Sequence, residues 1–164
     1  LRAPANLQLL ERAVLSKLRC MSCEEIAALP DISEGLENRI YDAVRKACGL
    51  EELYALVKTK RYTHARIRRI VLSAFLGLTA ADSEGRPPYI RVLAFNGKGR
   101  EILRQTKKSA QIPLIMRASD ILSLDTRSLH MFELECRAAD LYALSLPAVQ
   151  KCGLDMTTER FIIE

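Results

Sequence analysis

The residues best suited to chemistry in this chain of 164 amino acids are cations, and they fall in two short runs. The first is Lys58-Thr59-Lys60-Arg61-Tyr62-Thr63, followed within a few residues by Arg66, Arg68 and Arg69. A basic loop feeding a helix N-terminus puts positive side chains where the helix already carries partial positive charge, a mildly unfavourable arrangement until an anion is added. With a phosphate in place, backbone N–H groups, helix dipole and side chains all converge on it. Tyr62 can stack on a base or pack internally, and a solvated loop remains the alternative for the whole run. The second run, Asn96-Gly97-Lys98-Gly99-Arg100, is read as a turn between a strand and a short basic helix that carries Arg104, Lys107 and Lys108. Phosphate loops occur at such strand-to-helix joints, but the P-loop and dinucleotide fingerprints are both missing. The candidate polyanion-binding residues, RNA-binding if the polyanion is a nucleic acid, are Lys58, Lys60, Arg61, Tyr62, Arg66, Arg68, Arg69, Lys98, Arg100, Arg104, Lys107 and Lys108.

Other chemistries find no support in the sequence. Cys20-Met21-Ser22-Cys23 has the two-residue gap of a zinc or redox pair, yet no second pair and no spaced histidines follow it. These two thiols are read as buried or partly buried. The two histidines, His64 and His130, are 66 residues apart; the first reads as a surface residue of the basic cluster, the second as structural. No nucleophile–base set, no close carboxylate pair and no metal-ligand cluster is recognisable, so no catalytic and no metal-binding residue is assigned.

Charge is distributed unevenly. Tyr54 to Ala81 contains no acidic residue, and residues 54–119 hold 14 cations against the acids Asp82, Glu84 and Glu101. The rest of the chain is net acidic, although the whole carries a formal charge of +5. Such asymmetry marks a face for a polyanion, of which nucleic acid is the commonest.

Helices and a small strand element must position these cations. Apolar spacing predicts a helix over 5–21 capped by Asn6, a short one from Ser22 stopped by Pro30, a third over 33–48 with Gly49 as its C-cap, and a fourth over 50–57. A fifth spans 63–78 behind a Thr63 cap, with Ile67, Ile70, Val71, Ala74, Phe75 and Leu78 inward and Arg66 and Arg69 off that stripe. Residues 80–88 read as a linker. Tyr89 to Phe95 then reads as one strand, Arg100 to Ser109 as a basic helix, Pro113 to Arg117 as a second strand, and Leu129 to Leu144 as a long helix stopped near Pro147; Arg160 to Glu164 is suited to one more short strand. The expected fold is mainly α with a small α+β part: a bundle of about five helices, a two-stranded parallel βαβ unit and a final long helix. The expected organisation is a helical lobe over 1–80 and a βαβ unit with its packing helix over 81–164.

Half of the residues are hydrophobic, enough for a sizeable core, and no apolar run reaches the roughly 20 residues a transmembrane helix needs. No signal-peptide pattern opens the chain. The five cysteines, an odd number, suit free thiols in a reducing compartment, which places the protein in the cytoplasm. The chain starts at Leu1, without methionine, as a piece of a longer protein would.

A linked series of motifs resembles a known family. It comprises Glu34-Gly35-Leu36-Glu37-Asn38-Arg39-Ile40, then Lys58 to Thr63, Arg66-Ile67-Arg68-Arg69, Pro87-Pro88-Tyr89-Ile90-Arg91-Val92-Leu93-Ala94-Phe95-Asn96, and Lys98-Gly99. Over about residues 33–117 it is similar to the C-terminal part of the bacterial tRNA(Met) cytidine acetate ligases, formerly described as nucleotidyltransferases. The resemblance implies a parent protein with an N-terminal nucleotidyltransferase-like α/β domain that activates acetate with ATP to acetyl-adenylate. The acetyl group then passes to N4 of the wobble cytidine of elongator tRNA(Met). It further implies that ATP and acetate belong to the parent, with no cofactor in this chain, since the Asn-Pro-Phe-His-x-Gly-His type of signature is not found around His64 or His130. The expected partners are tRNA and the missing N-terminal domain, with no membrane. The alternative is an interdomain or dimerisation scaffold without RNA contact.

Overall fold

The computed structural model describes residues 4–33, 35–157 and 161–163. Glu34 of the first resemblance motif, and Arg160 and Glu164 of the expected last strand, lie outside the described residues. The chain forms two units: Leu1–Glu84 with Leu141–Gln150, and Gly85–Asp140 with Lys151–Glu164. Segments 81–84 and 141–150 thus group with the helical part, whereas the sequence predicts a single cut after residue 80.

The first unit is built on five α-helices: α1 (Glu11–Cys20), α2 (Cys23–Ala27), α3 (Leu36–Lys46), α4 (Leu50–Val57) and α5 (His64–Leu76). The expected helix over 5–21 begins as a 3-10 turn, Leu7–Leu10, because the Asn6 side chain accepts the Gln8 N–H and tightens the entry. Ser22 and Glu25 form the reciprocal capping box that starts α2. The apolar stripes meet in one cluster that includes Val14, Leu18, Ile26, Ile40, Val44, Leu53, Val57, Ile67, Ile70 and Val71, all almost fully buried.

Two glycines behave differently from one another. Gly49, expected as the C-cap of α3, is extended and precedes α4. The cap of α3 is the extended Ala47, whose carbonyl accepts from the Arg19 guanidinium at 2.8 Å. Gly49 leaves room for Glu11: a Cβ there would stand 3.2 Å from the Glu11 carboxylate, which accepts the Leu50 N–H at 2.8 Å and would have to give way slightly. Gly35 precedes α3 with φ +78 and open space around its missing Cβ. Gly35→Ala therefore isolates the conformational cost of the left-handed backbone, and we expect a loss of about 1–2 kcal/mol, read as a lower urea midpoint with unchanged slope.

In the second unit the expected strand Tyr89–Phe95 is two strands, β1 (Ile90–Arg91) and β2 (Ala94–Phe95). A run of β-forming residues does not reveal where its partner changes, and the partner changes here. β1 pairs in parallel with β3 (Leu114–Ile115), in the register Ile90↔Leu114, whereas β2 pairs in parallel with β4 (Phe161–Ile162). The helix between β1 and β3, α6 (Gly97–Ser109), also starts earlier than expected. Asn96 accepts the Gly99 N–H at 2.9 Å, so Asn96 is an N-cap and Gly97-Lys98-Gly99 is helical first turn, not a plain turn. Gly99 lets α6 lie close on β2, since a Cβ there would stand 3.1 Å from that of Phe95.

The long helix α7 (Thr126–Leu144) begins at Thr126, ahead of the expected Leu129. Asp125 accepts the Ser128 N–H at 2.7 Å, and these backbone hydrogen bonds hold its carboxyl below the usual carboxylate range. A short helix that the sequence does not announce, α8 (Leu154–Thr157), precedes β4. The core of this unit is small: Tyr89 and Phe132 meet edge to face, with Ile115 beside them. Among the described residues no helix is long and apolar enough to cross a membrane.

Candidate nucleic-acid interface

The loop between α4 and α5 carries the first cationic run, and backbone hydrogen bonds rather than charge give it shape. Thr59 Oγ1 accepts the N–H groups of Arg61 and Tyr62, at 3.2 and 3.1 Å, while the Thr59 N–H donates to the Tyr62 carbonyl. Thr63 then caps α5 by accepting the Arg66 N–H. Below the loop, Arg39 of α3 donates to the carbonyls of Leu56 and Val57, closing the last turn of α4. In the sequence this arginine reads only as part of the first resemblance motif, with no role of its own. Its place, one turn of helix away from Leu36 in the motif that opens at Glu34, is the signal that could have found it.

The candidate side chains divide into two groups. Lys58, Lys60 and Arg61 are exposed on the loop. Tyr62 is 8% exposed and belongs to the core cluster, so it packs instead of presenting a face for a base. The guanidiniums of Arg61 and Arg66 lie 6.0 and 5.4 Å from its ring centre, which makes the ring a support for cations. Arg66, half-buried, donates to the Asp31 carbonyl and to Ser33 Oγ, each at 2.7 Å from Nη2. Arg69 pairs with the Asp31 carboxylate at 3.0 Å and Arg68 reaches Glu51 at 3.5 Å. The cations do leave the apolar stripe as expected, but these three meet acidic or carbonyl partners on neighbouring elements. Asp31 is held with φ +64, uncommon for a residue other than glycine. The sequence shows none of these long-range partners, because Asp31 and Glu51 precede the acid-free stretch.

The second group is in the other unit. Lys98, Arg100, Arg104, Lys107 and Lys108 are carried on α6, a helix with no fully buried residue. Lys107 and Lys108 stand in its last turn, where cations complement the dipole; Lys98 and Arg100 stand in or next to the first turn, where an external anion would relieve them.

The remaining expected groups lie apart from both runs or take a different setting. His64 is half-buried at the start of α5, with Nδ1 enclosed, and is not a free surface residue. His130 is exposed on α7, outside any core. Cys20 is exposed and Cys23 half-buried, both as free thiols, with Cys23 Sγ 3.3 Å from Asn38 Oδ1. The expectation of two buried or partly buried thiols fails at Cys20 because α1 ends with that residue turned outward. Among the described residues no group of three or more His, Cys, Asp or Glu is placed to hold a metal ion.

Comparison with known proteins extends the likeness far beyond residues 33–117. The family described as HIGH Nucleotidyl Transferase matches residues 2–155. A tRNA(Met) cytidine acetate ligase of Acetivibrio thermocellus is 39% identical over 158 residues, which is 92% of this chain and 38% of that protein. One from Syntrophomonas wolfei is 34% identical over 96% of this chain and 40% of its own length. Among solved structures, Thermotoga maritima TmcAL in its apo form matches with a TM-score of 0.86 at 28% identity, over 96% of this chain and 41% of that one. The same protein bound with alpha-thio ATP matches with a TM-score of 0.88, over 98% and 43%. The chain thus spans about two fifths of the length of the relatives it matches.

Proposed function

The chain belongs to the HIGH nucleotidyl transferase family, together with the tRNA(Met) cytidine acetate ligases, and on that premise we propose that it is the C-terminal, tRNA-binding part of such a ligase. The parent enzyme would use ATP and acetate to acetylate the wobble cytidine of elongator tRNA(Met), and this part would seat the tRNA for it. The C-terminal placement rests on the chain's own residues. His64 lies in Thr63-His64-Ala65 and His130 in Leu129-His130-Met131, neither of which has the histidine–glycine–histidine context of an ATP signature. None of the described strands exceeds two residues, where a nucleotide-binding α/β domain is built on a continuous parallel sheet. Sequencing the reading frame upstream of Leu1 tests this directly: a histidine-containing nucleotidyltransferase signature there supports it, and one downstream of Glu164 instead refutes it.

The observation that carries the RNA assignment is the concentration of cations on two defined supports, the Thr59-braced loop and helix α6. Cations on phosphates position an RNA more than they read its sequence. Replacing Lys60, Arg61, Arg68 and Arg69 together by alanine is expected to lower tRNA affinity at low salt by roughly a hundredfold and to flatten the salt slope by about one for each phosphate left without its cation. Unchanged affinity, measured by filter binding with circular dichroism confirming the fold, refutes the assignment.

A second reading has its own observation. Leu93, Ile162 and Ile163, at and beside β2 and β4, are each more than half exposed. An apolar edge of this kind suits a protein partner, so an interdomain or dimer surface is the competing role. Small-angle scattering of the chain, with and without the rest of the ligase expressed separately, distinguishes docking from its absence.

A further inference from the structure

We infer that a cavity of about 370 Å³ in the first unit holds one unpaired nucleobase bearing an exocyclic amino group, an inference that rests on the RNA-binding reading above. Its wall includes Asn6, Gln8, Glu11, Glu51, Tyr54 and Arg68. That volume is at the lower end of ligand cavities, about 300–1,000 Å³, and suits one ring system.

The polar groups of the wall are only partly used within the unit. Tyr54 is 2% exposed and its hydroxyl is buried without a hydrogen-bond partner. A hydroxyl left in that state is costly, and a ring nitrogen or carbonyl of a bound base would satisfy it. Glu11 commits Oε2 to the Leu50 N–H, which leaves its other oxygen. Asn6 commits Oδ1 to the Gln8 N–H. Glu51 is exposed and touches Arg68 only at 3.5 Å, a long distance for an ion pair.

Two carboxylates against one guanidinium leave the wall with surplus negative charge. It would repel a phosphate entering alone and favour a ring that offers an exocyclic amino group. Cytosine, adenine and guanine each carry an amino group that a carboxylate can accept from, whereas uracil has a carbonyl at the position where cytosine has its amine. Arg68, 5.3 Å from the Tyr54 ring centre, belongs both to the cavity and to the basic helix α5. A base in the cavity would therefore keep its own phosphate beside that helix.

Labelled single-stranded heptamers of cytidine and of uridine test this by fluorescence anisotropy with the whole 164-residue chain. The two probes match in size and charge, so phosphate attraction cancels in their ratio. The cytidine heptamer is expected to bind about tenfold more tightly, as one amine-to-carboxylate hydrogen bond allows. Glu51→Ala and Tyr54→Phe should each bring the ratio towards one. Equal binding of both heptamers by the natural chain overturns the cavity assignment alone, as does a cytidine preference that survives both variants. Failure of both heptamers to bind at low salt overturns the RNA-binding reading, and the cavity assignment with it.

Discussion

Replacing Arg91 by alanine is expected to destabilise the second unit by about 3 kcal/mol. The apolar core of that unit is small, and Arg91 joins the elements around it. Its Nη1 donates to Asp155 at 2.6 Å and to Glu135 at 3.1 Å, and its Nη2 donates to the Asp155 carbonyl at 2.9 Å. The guanidinium lies 4.9 Å from the Phe132 ring centre. One side chain thus ties β1 to α7 and to α8, the short helix that leads into β4. Only 19% of the Arg91 side chain is exposed, but Glu135 and Asp155 retain 45% and 29%, so water screens part of the loss and holds the figure below that of a fully buried pair. Arg91→Lys keeps the charge and loses the fork, and should recover less than half. Hydrogen exchange of the Ile163 amide reports the effect locally, since its N–H donates to the Phe95 carbonyl. Protection unchanged from the natural chain would mean that α8 and β4 are held by something other than this arginine.

The second large effect is in the other unit. Ile70→Ala is expected to cost about 3–4 kcal/mol, from lost transfer energy and from the cavity left behind. Ile70 is completely buried on α5, the helix that carries Arg66, Arg68 and Arg69, and α5 packs on α1 and α4. Urea unfolding followed by circular dichroism measures the loss. A cost near that of a surface substitution, within about 0.5 kcal/mol, would contradict the placement of α5 in the core.

Much of the helical unit is legible in the sequence because its stripes are regular and its caps are local. Asn6, Ser22 and Thr63 act within three residues of themselves, which is the range that spacing rules read. Gly49 misleads because a glycine after an apolar stripe has two uses, and only Glu11, distant in sequence and adjacent in space, decides between them. The second unit is less legible for the same reason. Asn96 outweighs two glycines as a helix start, and the division of Tyr89–Phe95 depends on partners at Leu114 and Phe161 that alternation cannot reveal. For the candidate site, the cations and the loop they sit on can be read from residue order alone. The groups that restrain them cannot: Asp31 with Arg66 and Arg69, Glu51 with Arg68, and Arg39 beneath the loop. Tyr62 is open to either role by type, and burial resolves it as a support.

In the proposed function, cations on the α4–α5 loop and on α6 meet the phosphates of tRNA. The most direct measurement is the affinity of the 164-residue chain for tRNA as a function of salt between about 50 and 200 mM. If about five cations meet phosphates, the logarithm of the affinity falls linearly with the logarithm of salt at a slope of about −4, a loss of roughly two-hundredfold across that range. A flat dependence, or no binding at the lowest salt, would show that these cations serve a partner other than RNA.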